Sequence, residues 1–290
     1  MAHDHHHQHD ERRLGLAFVL IGVFTVVEAA GGWLANSLAL LADAGHMFLD
    51  ASALGLSWYA MRLSRRDPDH SLSYGYHRFQ VLAAFVNALT LLLVCAWISF
   101  EALARLRQPE PILPGPALVV AVLGLGVNLI AFRMLHDGRE RSLNMRSAYL
   151  HVLGDILGSI AAIAAMAIVL LTGWLAADPL LSMVVVLILL RGAWQLLRDS
   201  GHILLEGVPG HLDLNEIKRA LTAGVAEVLD VHHVHAWALT NERPMVTLHA
   251  NIAEGSDTQR VVAALKAVLL NDFGVDHSTV QVEFGPCPDD

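Results

Sequence analysis

Leu38-Ala39-Leu40-Leu41-Ala42-Asp43-Ala44-Gly45-His46-Met47-Phe48-Leu49-Asp50 opens an apolar run that continues to Met61. Such a run is near the ~20 residues that cross a bilayer as a helix. It carries three ionisable side chains in a setting where hydrocarbon makes each one costly. At about 100° per residue, Asp43, His46 and Asp50 fall within about 60° of one another on one helical face. His151-Val152-Leu153-Gly154-Asp155 repeats the phrase His-x-x-x-Asp in a second apolar run. Two apolar helices, each presenting an imidazole and a carboxylate one turn apart, predict helices bundled in a membrane around a shared polar site.

The flanking sequence reads the same way. Six spans are expected at Leu14–Ala35, Leu38–Met61, Val81–Ala104, Ala117–Leu135, Ala148–Thr172 and Pro179–Leu197. Turn formers separate them: Asn36-Ser37, Asp67-Pro68-Asp69, Pro109 to Pro116, Asp137-Gly138, and Gly173 to Pro179. The first run is too long for a signal-peptide core and lacks a small-residue cleavage site, so it counts as a span. Arginines gather before the first span (Arg12, Arg13) and after the second (Arg62, Arg65, Arg66, Arg78). They gather again around the loop after the fourth (Arg133, Arg139, Arg141, Arg146) and after the sixth (Arg198). The positive-inside rule then places both termini and the even-numbered loops in the cytoplasm.

Composition agrees. The chain has 290 residues, 54% of them hydrophobic and 16% charged, with a mean hydropathy of +0.48. A soluble domain carries nearer about 25% charged residues, so a disordered chain, a coiled coil and an ordinary cytosolic enzyme are excluded. Residues 206–290 hold thirteen acids and five bases, which accounts for nearly all of the net charge of −9. That balance argues against nucleic acid as a partner. The two cysteines, Cys95 and Cys287, make no disulfide framework. Three parts follow: a His-rich N-terminal segment (1–13), a membrane domain (14–205) and a polar cytoplasmic tail (206–290).

In the tail, Asp213–Val228 has helical spacing, and Val231–Leu239 and Met245–Ile252 are expected strands joined across Asn241 to Pro244. Thr258–Phe273 is a second amphipathic helix, and Thr279–Phe284 alternates as a strand. The order α-β-β-α-β describes a small α+β domain of the ferredoxin-like class.

The paired phrases favour a metal. A lone carboxylate in a low-dielectric bundle protonates, whereas two carboxylates sharing a divalent cation are neutral as a set. Two imidazole nitrogens and two carboxylate oxygens form a tetrahedral N/O set suited to Zn²⁺; Ca²⁺ and Mg²⁺ call for more oxygens. Binding to such ligands releases protons. Asp43 is placed either to assist proton exchange or to bond a neighbouring helix. Glu28 and Asn87 read as polar contacts between helices.

Taken together, the chain resembles the cation diffusion facilitator family, in its zinc-exporting branch. The resemblance rests on Asn36 to Met47 with Asp50, Tyr74-Gly75-Tyr76-His77-Arg78, His151 with Asp155, and Leu204-Leu205-Glu206-Gly207-Val208-Pro209. In the tail it rests on Val231-His232-His233-Val234-His235-Ala236-Trp237 and Thr279-Val280-Gln281-Val282-Glu283. It implies a homodimer of six-helix protomers that exchange Zn²⁺ for H⁺ by alternating access. The transport site is then His46, Asp50, His151 and Asp155. A His at the first of these positions, in place of the Asp of some relatives, is associated with zinc over cadmium. Tail metal is implied at His232, His249 and Glu283, with His277 as a further candidate, while His233 and His235 read as surface residues. Arg78 and Glu206 match a charge contact of relatives. The loop site of some relatives is only partly present, since Gln80 replaces an acid, which leaves Asp69 and His70 as a weak site. His3 to His9 is expected to capture Zn²⁺ weakly from the cytoplasm.

The expectation is therefore a multi-pass protein of a bacterial inner membrane that exports Zn²⁺ and is not an enzyme. Rival readings are a broader exporter of Cd²⁺, Co²⁺ or Ni²⁺, a membrane-anchored metal sensor, and an intramembrane metalloenzyme. The last would need an open metal position beside a general base.

Overall fold

The structure, a computed structural model, describes residues 2–34, 38–108, 114–136, 142–285 and 287. It divides into two compact units, residues 1–200 and 201–290, a boundary slightly earlier than the expected Glu206. Among the described residues the first unit is built from six long helices: α1 (Ala2–Leu34), α2 (Leu38–Ser64), α3 (Arg78–Arg107), α4 (Pro114–Leu135), α5 (Leu143–Thr172) and α6 (Ala177–Leu204). They coincide with the six stretches expected to be helical, most of them running beyond the expected bounds. In particular, α1 runs back through the His-rich segment, whose side chains lie outside the described residues. Among the described residues, α3, α5 and the Pro179–Leu204 part of α6 are long and apolar enough to cross a membrane, and Val122–Leu135 of α4 is a shorter apolar stretch.

Local chemistry sets the ends of α5. Ser142 at its N-cap accepts from the Met145 N–H, and Gly173 closes it with φ 71°. Buried side chains from α1 (Leu14, Ala17, Ile21), α2 (Met47, Ala51, Leu54), α4 (Ala131, Leu135) and α5 (Ala148, Val152, Ile156) form one core. Outward, the helices carry large exposed apolar residues such as Val26, Trp97, Phe100 and Leu171. This inside-out pattern is what a lipid-facing surface requires.

The second unit has α7 (Leu214–Gly224), β1 (Val228–Ala238), β2 (Pro244–Ile252), α8 (Thr258–Phe273) and β3 (His277–Glu283). Asp213 and Asp257 cap the two helices with their carboxylates. The sheet order is β1-β2-β3, antiparallel then parallel. It is the expected α+β arrangement, one strand short of a full β-α-β-β-α-β ferredoxin-like order among the described residues. Ile217, Leu221, Leu265 and Leu269 of the helices cover Val246, Leu248, Ala250 and Ile252 of β2. The opposite face of the sheet carries His232, His249, Thr247, Gln281 and Glu283, with Trp237 and Met245 at one end.

Candidate metal centres

Within the first unit, Asp50 from α2 meets His151 and Asp155 from α5. One donor atom from each residue lies within 4.8 Å of the other two. His151 Nε2 and Asp50 Oδ1 are 2.9 Å apart. Helical periodicity alone puts His151 and Asp155 on one face of α5. Packing brings Asp50 to them, because Met47, Ala51 and Leu54 of α2 share a core with Ala148, Val152 and Ile156 of α5. The Asp50 side chain is only 4% exposed and that of His151 17%. Asp50 Oδ2 is buried without a hydrogen-bond partner among the described residues. A buried carboxylate oxygen in that state is costly, and a cation held between the carboxylates relieves it. The side chain of His46, the fourth expected ligand, lies outside the described residues, as does that of Asp43.

A column of buried polar groups continues from this cluster at seven-residue steps. Asp50, Ser57 and Ser64 follow one another on α2, Gln80 and Asn87 on α3, and Asn144 and His151 on α5. Asn87 Nδ2 donates to Ala53 O (3.2 Å) and Ser57 Oγ (2.9 Å), Asn144 Nδ2 donates to Ser57 O (2.6 Å), and Gln80 Nε2 donates to Ser64 Oγ (2.6 Å). Seven-residue spacing keeps one face of each helix toward its neighbours in a left-handed bundle. Asn87 therefore acts between helices, as its position predicts. Gly154, beside Asp155, sits against Leu189 of α6, and Gly192 of α6 sits against Leu150. A Cβ on Gly154 would come 3.1 Å from Leu189 Cδ1, so these glycines make room for the leucine side chains that fill the space between α5 and α6 next to the site.

Within the second unit, the polar face of the sheet gathers His232, His249, Glu283 and Cys287, whose donor atoms lie within 4.8 Å of one another. His232 pairs directly across from His249. Glu283 bridges them: its Oε2 is 3.0 Å from His232 Nε2 and its Oε1 is 2.9 Å from His249 Nδ1. Asp230 Oδ2 lies 3.1 Å from His232 Nδ1, and Lys218 Nζ lies 3.1 Å from Asp230 Oδ1. A carboxylate on the far nitrogen is the usual means of orienting a metal-binding imidazole. Burial acts to raise the Glu283 carboxyl, but hydrogen bonds from Gln281 and Cys287 and the two imidazoles outweigh it and leave it below the usual carboxylate range. Burial likewise opposes, and Lys218 and His232 overcome it, in lowering Asp230.

Three expectations change here. His277 is exposed at the opposite end of β3, paired with Met245. Six residues of extended strand, roughly 20 Å, separate it from Glu283, so the fourth donor near the cluster is Cys287. His233 is not a bare surface residue: it is half-buried, and its ring centroid lies 5.0 Å from that of His249. The cause is a bulge between His232 and His235, where His233 adopts φ 47° and turns both adjacent histidines to one face. The signal was legible in Val231-His232-His233-Val234, where two polar residues interrupt strict alternation. Finally, Asp69 faces its own loop. Its Oδ1 accepts from Ser71 N (2.9 Å), Ser71 Oγ (2.6 Å) and Leu72 N (2.9 Å), and its Oδ2 accepts from Tyr76 Oη (2.6 Å). These bonds, led by the Ser71 and Tyr76 hydroxyls, hold its carboxyl well below the usual range. Among the described residues no third donor joins Asp69 and His70 in a metal-sized group.

Comparison with known proteins adds independent findings. Residues 14–205 match the family model described as the cation efflux transmembrane domain, and residues 209–284 match that of the cation efflux protein cytoplasmic domain. The zinc transporter ZitB of Pectobacterium atrosepticum is 45% identical over 293 residues, covering 100% of this chain and 91% of that protein. The metal cation efflux system protein CzcD of Cupriavidus metallidurans is 40% identical over 291 residues, covering 99% and 92%. A cadmium, cobalt and zinc/H⁺–K⁺ antiporter of Bacillus velezensis is 36% identical over 291 residues, covering 98% and 92%.

Proposed function

The chain belongs to the cation efflux family, and on that premise we propose that it is a Zn²⁺/H⁺ antiporter that exports zinc from the cytoplasm. The observation that carries the proposal is the convergence of Asp50, His151 and Asp155 between α2 and α5, with a buried oxygen of Asp50 in need of a partner. His46, four residues before Asp50, is the fourth ligand of a His₂Asp₂ set. Zinc is the substrate at this site. Two neutral imidazoles and two carboxylates compensate its charge in a low-dielectric bundle, and borderline-soft Zn²⁺ suits four N/O donors. Ligands that must deprotonate to bind metal take up protons when it leaves, which couples release to proton uptake. The site serves alternately to the two sides of the membrane.

The surrounding assignments belong to the same proposal. The protein is a homodimer in a bacterial inner membrane, with both termini and the tail in the cytoplasm. His232, His249 and Glu283 hold a second metal ion in the tail, and the His-rich residues 3–9 raise the local zinc supply. Zinc flux into inverted proteoliposomes tests the reading. Wild-type protein should move Zn²⁺ inward and H⁺ outward, whereas normal flux by the Asp50→Ala/Asp155→Ala double variant would sink it.

The name of one relative, the cadmium, cobalt and zinc antiporter of Bacillus velezensis, favours one further reading, export of Cd²⁺ and Co²⁺ alongside Zn²⁺. Metal-tolerance assays run side by side in an efflux-deficient bacterial strain separate the two. A zinc-only rescue supports the narrower reading, and equal rescue on Cd²⁺ or Co²⁺ supports the broader one. A sensor without transport would leave the proteoliposome pH unchanged when zinc is added.

A further inference from the structure

The tail cluster contains a donor that neither the strand pattern nor the His/Glu set accounts for, the thiol of Cys287. Its approach is built into the fold. β3 ends at Glu283, and Gly285 turns the chain with φ 102°, a conformation that side chains other than glycine's rarely adopt. Asn251, the β2 partner of Glu283, donates from Nδ2 to Gly285 O at 2.8 Å and pins the turn. Cys287 is thereby returned, half-buried, over the polar face of the sheet.

The distances that a thiol hydrogen bond sets in the cluster also fit a metal. Cys287 Sγ lies 3.6 Å from His249 Nδ1 and 3.6 Å from Glu283 Oε1. With Zn–S near 2.3 Å and Zn–N or Zn–O near 2.0–2.1 Å, the sulfur-to-nitrogen and sulfur-to-oxygen edges of a tetrahedron are about 3.6 Å. The His249 Nδ1–Glu283 Oε1 edge, at 2.9 Å, opens by only a few tenths of an ångström to reach the roughly 3.3 Å of the same tetrahedron, while His232 Nε2 stands 3.0 Å from the other carboxylate oxygen, Oε2. His233 stands beside the cluster but outside this group of four donors.

We propose that Cys287 is a thiolate ligand of the tail site, completing a His₂-Glu-Cys set formed by His232, His249 and Glu283 for a borderline-soft divalent cation such as Zn²⁺ or Cd²⁺. On binding, the thiol proton passes to solvent and a sulfur–metal bond forms. One thiolate and one carboxylate then neutralise the cation in a half-buried setting. The thiolate tilts the site away from hard oxygen-loving ions and separates its preference from that of the N/O set in the membrane. The inference rests on the reading that the tail binds metal.

Co²⁺ is the probe, added to full-length protein carrying Asp50→Asn and Asp155→Asn so that the membrane site stays silent. The expected spectrum has tetrahedral d–d bands together with near-ultraviolet thiolate-to-cobalt charge transfer. The charge transfer disappears in Cys287→Ser and persists in Cys95→Ser and His233→Ala. Cys287→Ser also weakens Zn²⁺ retention by roughly tenfold or more, and Zn²⁺ slows maleimide labelling of Cys287 but not in His249→Ala. Tetrahedral d–d bands without charge transfer, or charge transfer that survives Cys287→Ser, overturn the thiolate and leave the tail site standing. Cobalt content unchanged by His232→Ala and His249→Ala overturns both.

Discussion

The two metal-capable clusters reach a similar density of donors by opposite routes. In the first unit, two helices supply the three described donors, and the i, i+4 spacing of His151 and Asp155 does half of the positioning. In the tail, four donors come from three strands and the segment after β3. A bulge, a left-handed residue at His233 and a glycine turn at Gly285 are needed to aim them. The membrane cluster has deeply buried Asp50 in apolar packing, whereas the tail cluster is backed by Asp230 and Lys218. Helix geometry thus tolerates little error in residue spacing and much in loops, while sheet geometry behaves in reverse.

The largest effect should fall on the membrane cluster. Asp50→Ala, His151→Ala or Asp155→Ala is expected to bring zinc flux to background while leaving insertion and the dimer intact, as read by proteoliposome flux and size-exclusion chromatography. The paired variant His232→Ala/His249→Ala should remove about one zinc per protomer, counted by elemental analysis, and slow flux only a few-fold, because these donors belong to a unit separate from the one that holds Asp50, His151 and Asp155. If that variant abolished flux as fully as Asp50→Ala, the contrast between the clusters would disappear.

Next comes the packing that holds α5. Gly154→Val should slow transport more than Gly154→Ala. An alanine Cβ meets only the movable end of Leu189, whereas a branched side chain displaces the helix carrying both His151 and Asp155. Asn87→Ala removes two bonds to α2 and is expected to cost about 1 kcal/mol, the usual size of polar contacts between membrane helices. A thermal-shift series in detergent measures it.

The smallest effect belongs to the loop before α3. The Asp69 carboxyl is lower in the folded loop than in an unfolded chain, so its contribution is fully present above the ordinary carboxylate value of about 4. It is lost only as pH falls through the depressed folded value. Hydrogen exchange at Ser71 and Leu72 should therefore show constant protection, corrected for intrinsic rate, from neutral pH to about 5. Asp69→Asn should reduce that protection across the range, and an acid-labile loop near pH 6 would contradict the assignment.

These contrasts mark how far the residues could be read in advance. The six helices, the α-β-β-α-β order and the shared face of His151 and Asp155 were legible because hydropathy and periodicity are local quantities; packing of α2 on α5 then brought Asp50 to them. The sheet register that sets His232 opposite His249 followed once the two strands were placed. His277 stands apart from the cluster because sharing a strand with Glu283 says nothing about distance along it. The role of Asp69 was hidden because an acidic loop residue serves a turn and a cation with the same lone pairs.

By itself, then, the sequence of this protein determined a membrane bundle with paired His-x-x-x-Asp faces and an acidic α+β tail. Burial energy and the fixed periods of helix and strand leave few other ways to place those residues. Only the tertiary structure decided that Cys287 comes over Glu283, that His233 turns beside His249, and that Ser57 joins Asn87 and Asn144 between three helices. Those outcomes depend on two positive φ angles, one bulge and the close approach of helices distant in sequence. Only the bulge leaves a trace in the sequence, the break in alternation at His232-His233; the other two are set by which neighbours arrive rather than by the residue itself.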